Sequence, residues 1–253
     1  MNRLGMKTLL MKEIRRFVRI PGQTLLSPLI STSLYFVVFG SALSGRISQV
    51  EGVPYLAFIV PGLVFLSVAN NAFINASSSI FSSKIQGTIV DLLVAPLGPF
   101  ELIVGFAGGA VVRGILVGLL TWLVGIFFAG PSLQHALLTL GVLVLGAYTF
   151  ALLGLLSGLW AEKFEQVNFF PTFVMLPLTF LGGVFYNVEQ LPGIWRTVSL
   201  FNPVVYLVDG LRYGMLGVGM FQPWVAPTVL TALALVSTAI VHALLARGYK
   251  LTS

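Results

Sequence analysis

Apolar runs of about 18 or more residues recur along the whole of this chain, and most of its charge falls in the short stretches between them. A helix rises about 1.5 Å per residue, so about 20 residues cover the roughly 30 Å hydrocarbon core of a bilayer. Six such runs are present, at 24–44, 55–81, 102–129, 136–160, 169–186 and 223–246. Of the 253 residues, 57% are apolar and only 9% are charged, too few charges to cover a water-soluble domain. The expected fold is an all-α, polytopic membrane protein whose main solvent is lipid. There is no cysteine, which excludes disulfides and thiolate metal sites. The net charge of +6 lies beside apolar runs, so it reads as membrane topology and not as nucleic-acid binding.

Residues 1–20 read as an amphipathic helix ahead of the first run. At about 100° per residue, Lys12, Arg15, Arg16 and Arg19 share one face and Met6, Leu10, Ile14 and Phe17 the opposite one. Glu13 stands among the basic residues, and Arg3 and Lys7 spoil the pattern at its start. Such a helix lies in the headgroup plane with its cations toward anionic lipid. Pro21-Gly22 ends it. Reading residues 1–42 as a cleaved signal peptide fits poorly, because the apolar stretch is too long and further runs follow.

The second run turns polar in its second half, with Asn70, Asn71, Asn75 and Ser77-Ser78-Ser79. Either this end emerges into water, or these groups face a wet cavity or a neighbouring helix. Residues 82–101 are too polar to span, and the expectation is a short helix at the cytoplasmic surface ending near Pro96. The third and fourth runs are joined by the tight turn Gly130-Pro131-Ser132-Leu133-Gln134-His135, so they are antiparallel neighbours. The pairs Gly105/Gly109, Gly114/Gly118 and Gly154/Gly158 have the spacing that lets helix backbones approach closely. Pro171 and Pro177 interrupt the fifth run. The segment 188–221 carries Glu189, Arg196, Asp209 and Arg212 around a short apolar stretch broken at Asn202-Pro203, which suits a re-entrant or interfacial hairpin.

With the N-terminus inside, the inner segments hold Arg3, Lys7, Lys12, Arg15, Arg16, Arg19, Lys84, Lys163, Arg247 and Lys250, and the outer ones Arg46, Arg196 and Arg212. Ten against three places both termini in the cytoplasm.

Catalysis is not expected. His135 and His242 fall near opposite membrane faces, and no metalloprotease, nucleophile-elbow or paired-aspartate pattern occurs. Arg113 is the clear ionisable candidate within a run, and the simpler reading is that it snorkels to the inner interface. No phosphate-binding Gly-x-x-x-x-Gly-Lys-Ser/Thr loop is present, so energy from ATP would have to come from another polypeptide. Asp209 and Arg212, three residues apart, are spaced to form a structural ion pair on one helical turn.

Several stretches resemble the ABC-2 class of ABC-transporter permeases, and within it the YadH-like bacterial inner-membrane branch. They are Lys12-Glu13-Ile14-Arg15-Arg16-Phe17 with Leu34-Tyr35-Phe36, Ile59-Val60-Pro61-Gly62-Leu63, and Lys84 to Pro96 with Leu92-Leu93-Val94-Ala95-Pro96. Gly182-Gly183-Val184-Phe185-Tyr186, Asn202-Pro203-Val204-Val205-Tyr206 and Asp209-Gly210-Leu211-Arg212-Tyr213 follow in order. The resemblance implies the six-helix, type V exporter-like permease fold, with a connecting helix near 4–19, a coupling helix within 83–95 and a re-entrant pair near 188–221. It also implies a homodimer working with two ATP-binding subunits in the bacterial inner membrane, with ATP and magnesium held by those subunits and no cofactor in this chain. The exported substrate would be a drug, a lipid or a polysaccharide precursor. Carried onto this sequence, Lys84, Gln86, Thr88, Asp91, Leu92 and Leu93 would contact the ATPase, Asp91 keeping the charge that relatives often carry as glutamate. Asn70, Asn71, Asn75, Phe173 and Phe180 are the expected lining of a central cavity between the two permease copies, opened outward by alternating access. An ion-coupled transporter and a non-transporting scaffold that recruits a cytoplasmic partner are the competing readings.

Overall fold

The computed structural model describes residues 2–43, 49–130 and 132–250. Ser44, Arg46, which the sequence reading sets on the outer side, and Pro131 lie outside them. Eleven α-helices occur among the described residues: α1 Arg3–Val18, α2 Ser27–Leu43, α3 Tyr55–Ile85, α4 Ile89–Val94, α5 Pro99–Ala129, α6 Ala136–Trp160, α7 Phe164–Phe170, α8 Leu176–Phe180, α9 Gly193–Leu200, α10 Pro203–Leu216 and α11 Val225–Ala246. A two-residue hairpin, β1 Gln49–Val50 and β2 Val53–Pro54, precedes α3.

Four helices, α3, α5, α6 and α11, are long and apolar enough to cross a membrane. They occupy the second, third, fourth and sixth apolar runs. The first run yields a shorter apolar helix, Thr24–Phe39, entered through a π-turn at Gly22–Leu26. The fifth run is divided into α7, a π-turn at Pro171–Met175, and α8. The cause is proline: Pro171 has no N–H to donate and its ring crowds the preceding turn, so the backbone widens locally. Helix ends at Leu181, before Gly183 at φ 71°. The 188–221 segment forms α9 and α10, broken where the sequence places Asn202-Pro203. Asn202 caps α10 by accepting the Val204 N–H at 2.9 Å, and donates to the Leu178 carbonyl at 2.6 Å.

Helix α3 is the axis of the molecule. It buries most of its apolar stretch within the protein, whereas α5 and α11 leave most of theirs outward. The three glycine pairs explain how so many helices reach it. Gly114 and Gly118 of α5 face Val68 and Ala72 of α3, while Gly154 and Gly158 of α6 face Phe73, Ala76, Ser77 and Ile80 on its other side. Gly105 and Gly109 of α5 receive Leu9 and Glu13 of α1. Missing side chains let these backbones approach closely enough for dispersion contacts and interhelical hydrogen bonds, the interactions that hold helices together in lipid.

These seats are testable. A Cβ on Gly158 would lie 2.6 Å from the Ser77 carbonyl oxygen, and one on Gly154 would press on the Phe73 carbonyl, neither of which can rotate away. Gly141, also on α6, has nothing within 4 Å. Gly154→Ala and Gly158→Ala are expected to destabilise the detergent-solubilised protein by about 1–3 kcal/mol through overpacking. Gly141→Ala is expected to be neutral or to stabilise by up to about 1 kcal/mol through helix propensity. Thermal midpoints that move alike for all three would refute the assigned contacts.

Candidate functional site

The polar half of the second run does not emerge into water. Ser67, Asn71, Asn75 and Ser79 recur every four residues and so form one stripe along α3. Asn71, Asn75 and Ser79 are buried, and the stripe meets α1 and α5. Asn71 Nδ2 donates to the Ser67 carbonyl at 3.0 Å, and Thr121 of α5 bonds the Ser67 hydroxyl at 2.9 Å.

Helix α1 reaches this stripe by lying along α5. Leu9 sits on Gly105 and Glu13 on Gly109, so equal steps along the two helices keep them side by side and running the same way. Its start is fixed by Asn2, whose side chain caps Gly5 N at 2.9 Å and whose N–H donates to Glu101 Oε1 at 3.0 Å. The buried face is Leu9, Glu13 and Phe17, while Lys12, Arg15 and Arg19 point outward. Two residues therefore depart from the expected basic face. Glu13 is fully buried, and its Oε2 accepts from Ser79 Oγ at 2.5 Å and Arg16 Nε at 3.1 Å. Arg16 turns inward, its Nη2 donating to both the backbone oxygen and Oδ1 of Asn75 at 2.9 Å. The reason is the local need of a buried carboxylate for a cation and donors, which outweighs the solvation Arg16 would find outside.

Arg113 does not snorkel. From α5 it donates to Asn75 Oδ1 at 3.4 Å and Asn71 Oδ1 at 3.2 Å. Asn75 Oδ1 thus accepts from two guanidinium groups, one on α1 and one on α5. Above this network a cavity of about 340 Å³ opens between α2, α3 and α5, bordered by Ser27, Ser31, Thr32, Ser67, Asn70, Asn71 and Arg113 on its polar side and by Tyr35, Leu63, Leu66 and Ile74 elsewhere. Within this single chain Asn70 and Asn71 border the cavity, and Asn75 lies in the network beneath. Phe173 and Phe180 do not border it: both are exposed on the broken fifth run, where Phe173 meets Phe169 at a ring separation of 4.9 Å.

The segment between α3 and α5 holds α4, seated through buried Ile89. Gln86, Thr88, Asp91 and Leu93 are exposed there and Leu92 is half-buried. Lys84 is engaged internally, because α3 continues to Ile85. Its Nζ donates to the Leu159 and Ala161 carbonyls at 2.7 and 2.9 Å, capping the end of α6.

Asp209 and Arg212 are buried but make no ion pair within 4.0 Å, contrary to their spacing. Asp209 accepts the Met220 and Phe221 N–H groups at 2.7 and 3.0 Å, which ties α10 to the following loop. Arg212 donates to the Gly183 carbonyl at 2.8 Å and lies 3.8 Å from the Phe58 ring centre. Unpaired loop N–H groups and a turn carbonyl were nearer partners than each other.

The stripe member Ser67, and the inward turn of Glu13 and Arg16, were missed by charge counting, whereas Ser79 was among the polar residues read from the second run. The signal available was the four-residue spacing of polar positions on α3 opposite the Gly105/Gly109 seat on α5.

At the end of α6, Glu162 and Lys250 pair at 2.5 Å. The hydrogen bond from Lys250 holds the Glu162 carboxyl below its ordinary value, and the same bond raises Lys250. A depressed carboxyl contributes above its unfolded value, about 4.3, and loses that contribution as pH falls through the folded value. A raised lysine contributes below about 10.4 and loses it as pH climbs through its folded value. A spin label on Tyr249→Cys is therefore expected to be held near neutral pH in low salt. It is expected to become mobile as acid protonates Glu162, in high salt, and in Glu162→Gln. Identical mobility with and without Glu162→Gln would dissolve the assignment.

Comparison with known proteins agrees with this architecture. Residues 5–216 match the ABC-2 type transporter family. The chain is 44% identical over 215 residues, covering 85% of it and 84% of the relative, to the inner membrane transport permease YadH of Escherichia coli (strain K12). It is 27% identical over 186 residues, 73% of this chain and 70% of the relative, to Nodulation protein J of Sinorhizobium fredii (strain NBRC 101917 / NGR234). Four membrane-length helices, one of them the polar-striped axis α3, together with these matches, place the chain in the ABC-2 type transporter family of membrane transport permeases.

Proposed function

We propose that this chain is the permease subunit of an ATP-binding cassette exporter in a bacterial inner membrane, driven by a separate ATPase and working as a pair of copies. The observation that carries this reading is the hydrogen-bonded link from α1 to the cavity wall. Glu13 and Arg16 of α1 bond Ser79 and Asn75 of α3, and Asn75 also accepts from cavity-lining Arg113. A push on α1 would reach the cavity through short polar contacts between rigid helices.

In this reading α1 is the connecting helix, with Lys12, Arg15 and Arg19 toward the headgroups and the ATPase. Helix α4 is the coupling element, presenting Asp91 and Leu93. The first run and the broken fifth run complete six crossings, α9 and α10 form the outer re-entrant pair, and both termini are cytoplasmic. Nucleotide and magnesium belong to the partner, whose closure moves α1 and α4 and opens the cavity outward. The name of the E. coli relative, an inner membrane transport permease, supports the location and the class.

The test is copurification of the detergent-solubilised chain with the ATPase encoded beside it, followed by ATPase rates in the reconstituted complex. Asp91→Ala and Leu92→Ala are expected to preserve the folded chain while lowering transport-coupled ATPase severalfold. Failure to find an ATPase partner would favour the scaffold reading. Transport collapsed by a protonophore but untouched by ATP depletion would favour ion coupling. ATPase rates unchanged in both variants would remove α4 from the coupling path.

A further inference from the structure

We infer that the cavity between α2, α3 and α5 receives the anionic head of an amphipathic substrate, with Arg113 as its charge partner. This deepens the permease reading and rests on it.

The charges near the cavity do not balance. Glu13 is the one carboxylate in the network among the described residues; Arg16 and Ser79 bond its Oε2, its Oε1 is buried without a hydrogen bond, and Arg113 makes no ion pair with it within 4.0 Å. Arg113 has only neutral amide oxygens, at 3.2 and 3.4 Å, longer than the roughly 2.7–2.9 Å of a charge-assisted bond. Its Nε is buried with no partner. Among the described residues no aspartate or glutamate borders the cavity. A guanidinium held away from bulk water without a carboxylate leaves a positive charge that a bound anion would neutralise. Neutral or cationic head groups would not.

The rest of the wall suits the same ligand. Hydroxyls of Ser31 and Thr32 and the amide of Asn70 supply further donors for oxyanions. At about 340 Å³ the cavity is at the small end of ligand sites, the size of a head group and not of a whole lipid. Its apolar margin includes Tyr35 and Ile74, both exposed, and Ile30 lies exposed on the same helix as Tyr35. A hydrocarbon tail can lie along that margin while its head sits beside Arg113. Phosphate and carboxylate heads both meet these requirements.

The test measures thermal midpoints of the chain in dodecyl maltoside, with its ATPase where the two copurify, against titrated dodecyl phosphate, dodecyltrimethylammonium and inorganic phosphate. Dodecyl phosphate is expected to raise the midpoint saturably, and the other two are expected to do so weakly or not at all. Arg113→Gln should weaken the apparent affinity by about tenfold or more. Arg196→Gln, an exposed charge on α9, should leave it unchanged. Should Arg113→Gln fail to fold, Asn70→Asp decides: it keeps Arg113 but sets a carboxylate on the wall of the same cavity, and should weaken binding comparably. Equal stabilisation by the cationic amphiphile, or wild-type affinity in the variants that fold, overturns the inference. Inorganic phosphate binding as well as dodecyl phosphate would assign the cavity to a free anion and overturn the amphiphile. An ATPase partner without anion preference defeats this inference alone. Arg113-dependent binding without any ATPase partner defeats the permease reading instead.

Discussion

An amide or hydroxyl surrounded by hydrocarbon must find its partner inside the protein, because lipid supplies none and each orphan costs several kcal/mol. Helix α3 carries such groups along one stripe, and the arrangement around it follows from satisfying them. Glycines on α5 and α6 bring those helices against α3. A second pair of glycines on α5 brings α1 close enough for Glu13 and Arg16 to reach Ser79 and Asn75. Close approach and polar satisfaction depend on each other here. Without the glycine seats the carboxylate of Glu13 would be stranded, and without the polar bonds α1 would lose its register on α5.

The consequence is that α1 is bonded through the interior rather than only resting on a surface. Asn75 Oδ1 is shared between Arg16 and Arg113. When two donors compete for one acceptor, displacement of either changes the bond of the other, and packed helices convey such a displacement with little loss. On the proposed reading this acceptor is where motion of α1 becomes a change in the cavity wall. Helix α4 has a different character: buried Ile89 anchors it, while Asp91 and Leu93 face outward. One element is tied to the pathway and the other is presented to a partner.

Much of this was legible in the residues because length and composition govern what can cross a bilayer. The second, third, fourth and sixth runs became α3, α5, α6 and α11, and the three glycine pairs found backbones to seat. The break at Asn202-Pro203 is also where α9 gives way to α10. The fifth run was legible as an apolar stretch, but Pro171 and Pro177 divided it more deeply than run length conveys. What spacing could not decide was the choice among competing partners. Asp209 and Arg212 stand one turn apart, yet each found a nearer backbone partner from another part of the chain. Lys84 reads as a surface charge until α6 ends beside it with open carbonyls. Glu13 is flanked by basic residues in the sequence, but the helical wheel sets it between Leu9 and Phe17, and the seat at Gly109 receives it there.

Arg212 and Arg113, two of the arginines turned into this molecule, show how environment separates a structural charge from a functional one. Arg212 is enclosed. It holds a turn carbonyl at 2.8 Å, lies on the Phe58 ring, and shares α10 with Asp209 one turn away. Although its Nε is buried without a partner, it does not border the cavity that Arg113 lines, and its bonds tie α10 to the turn at Gly183. Arg113 has longer bonds to neutral oxygens and a wall open to a cavity. A buried charge that the fold satisfies only in part contributes little to stability, since its desolvation is not offset. Replacing it with an apolar residue would take the donor from the Asn71 amide oxygen, a cost of about 1–3 kcal/mol. Its place in the cavity wall is explained by what it can bind, whereas Arg212 is explained by what it already holds.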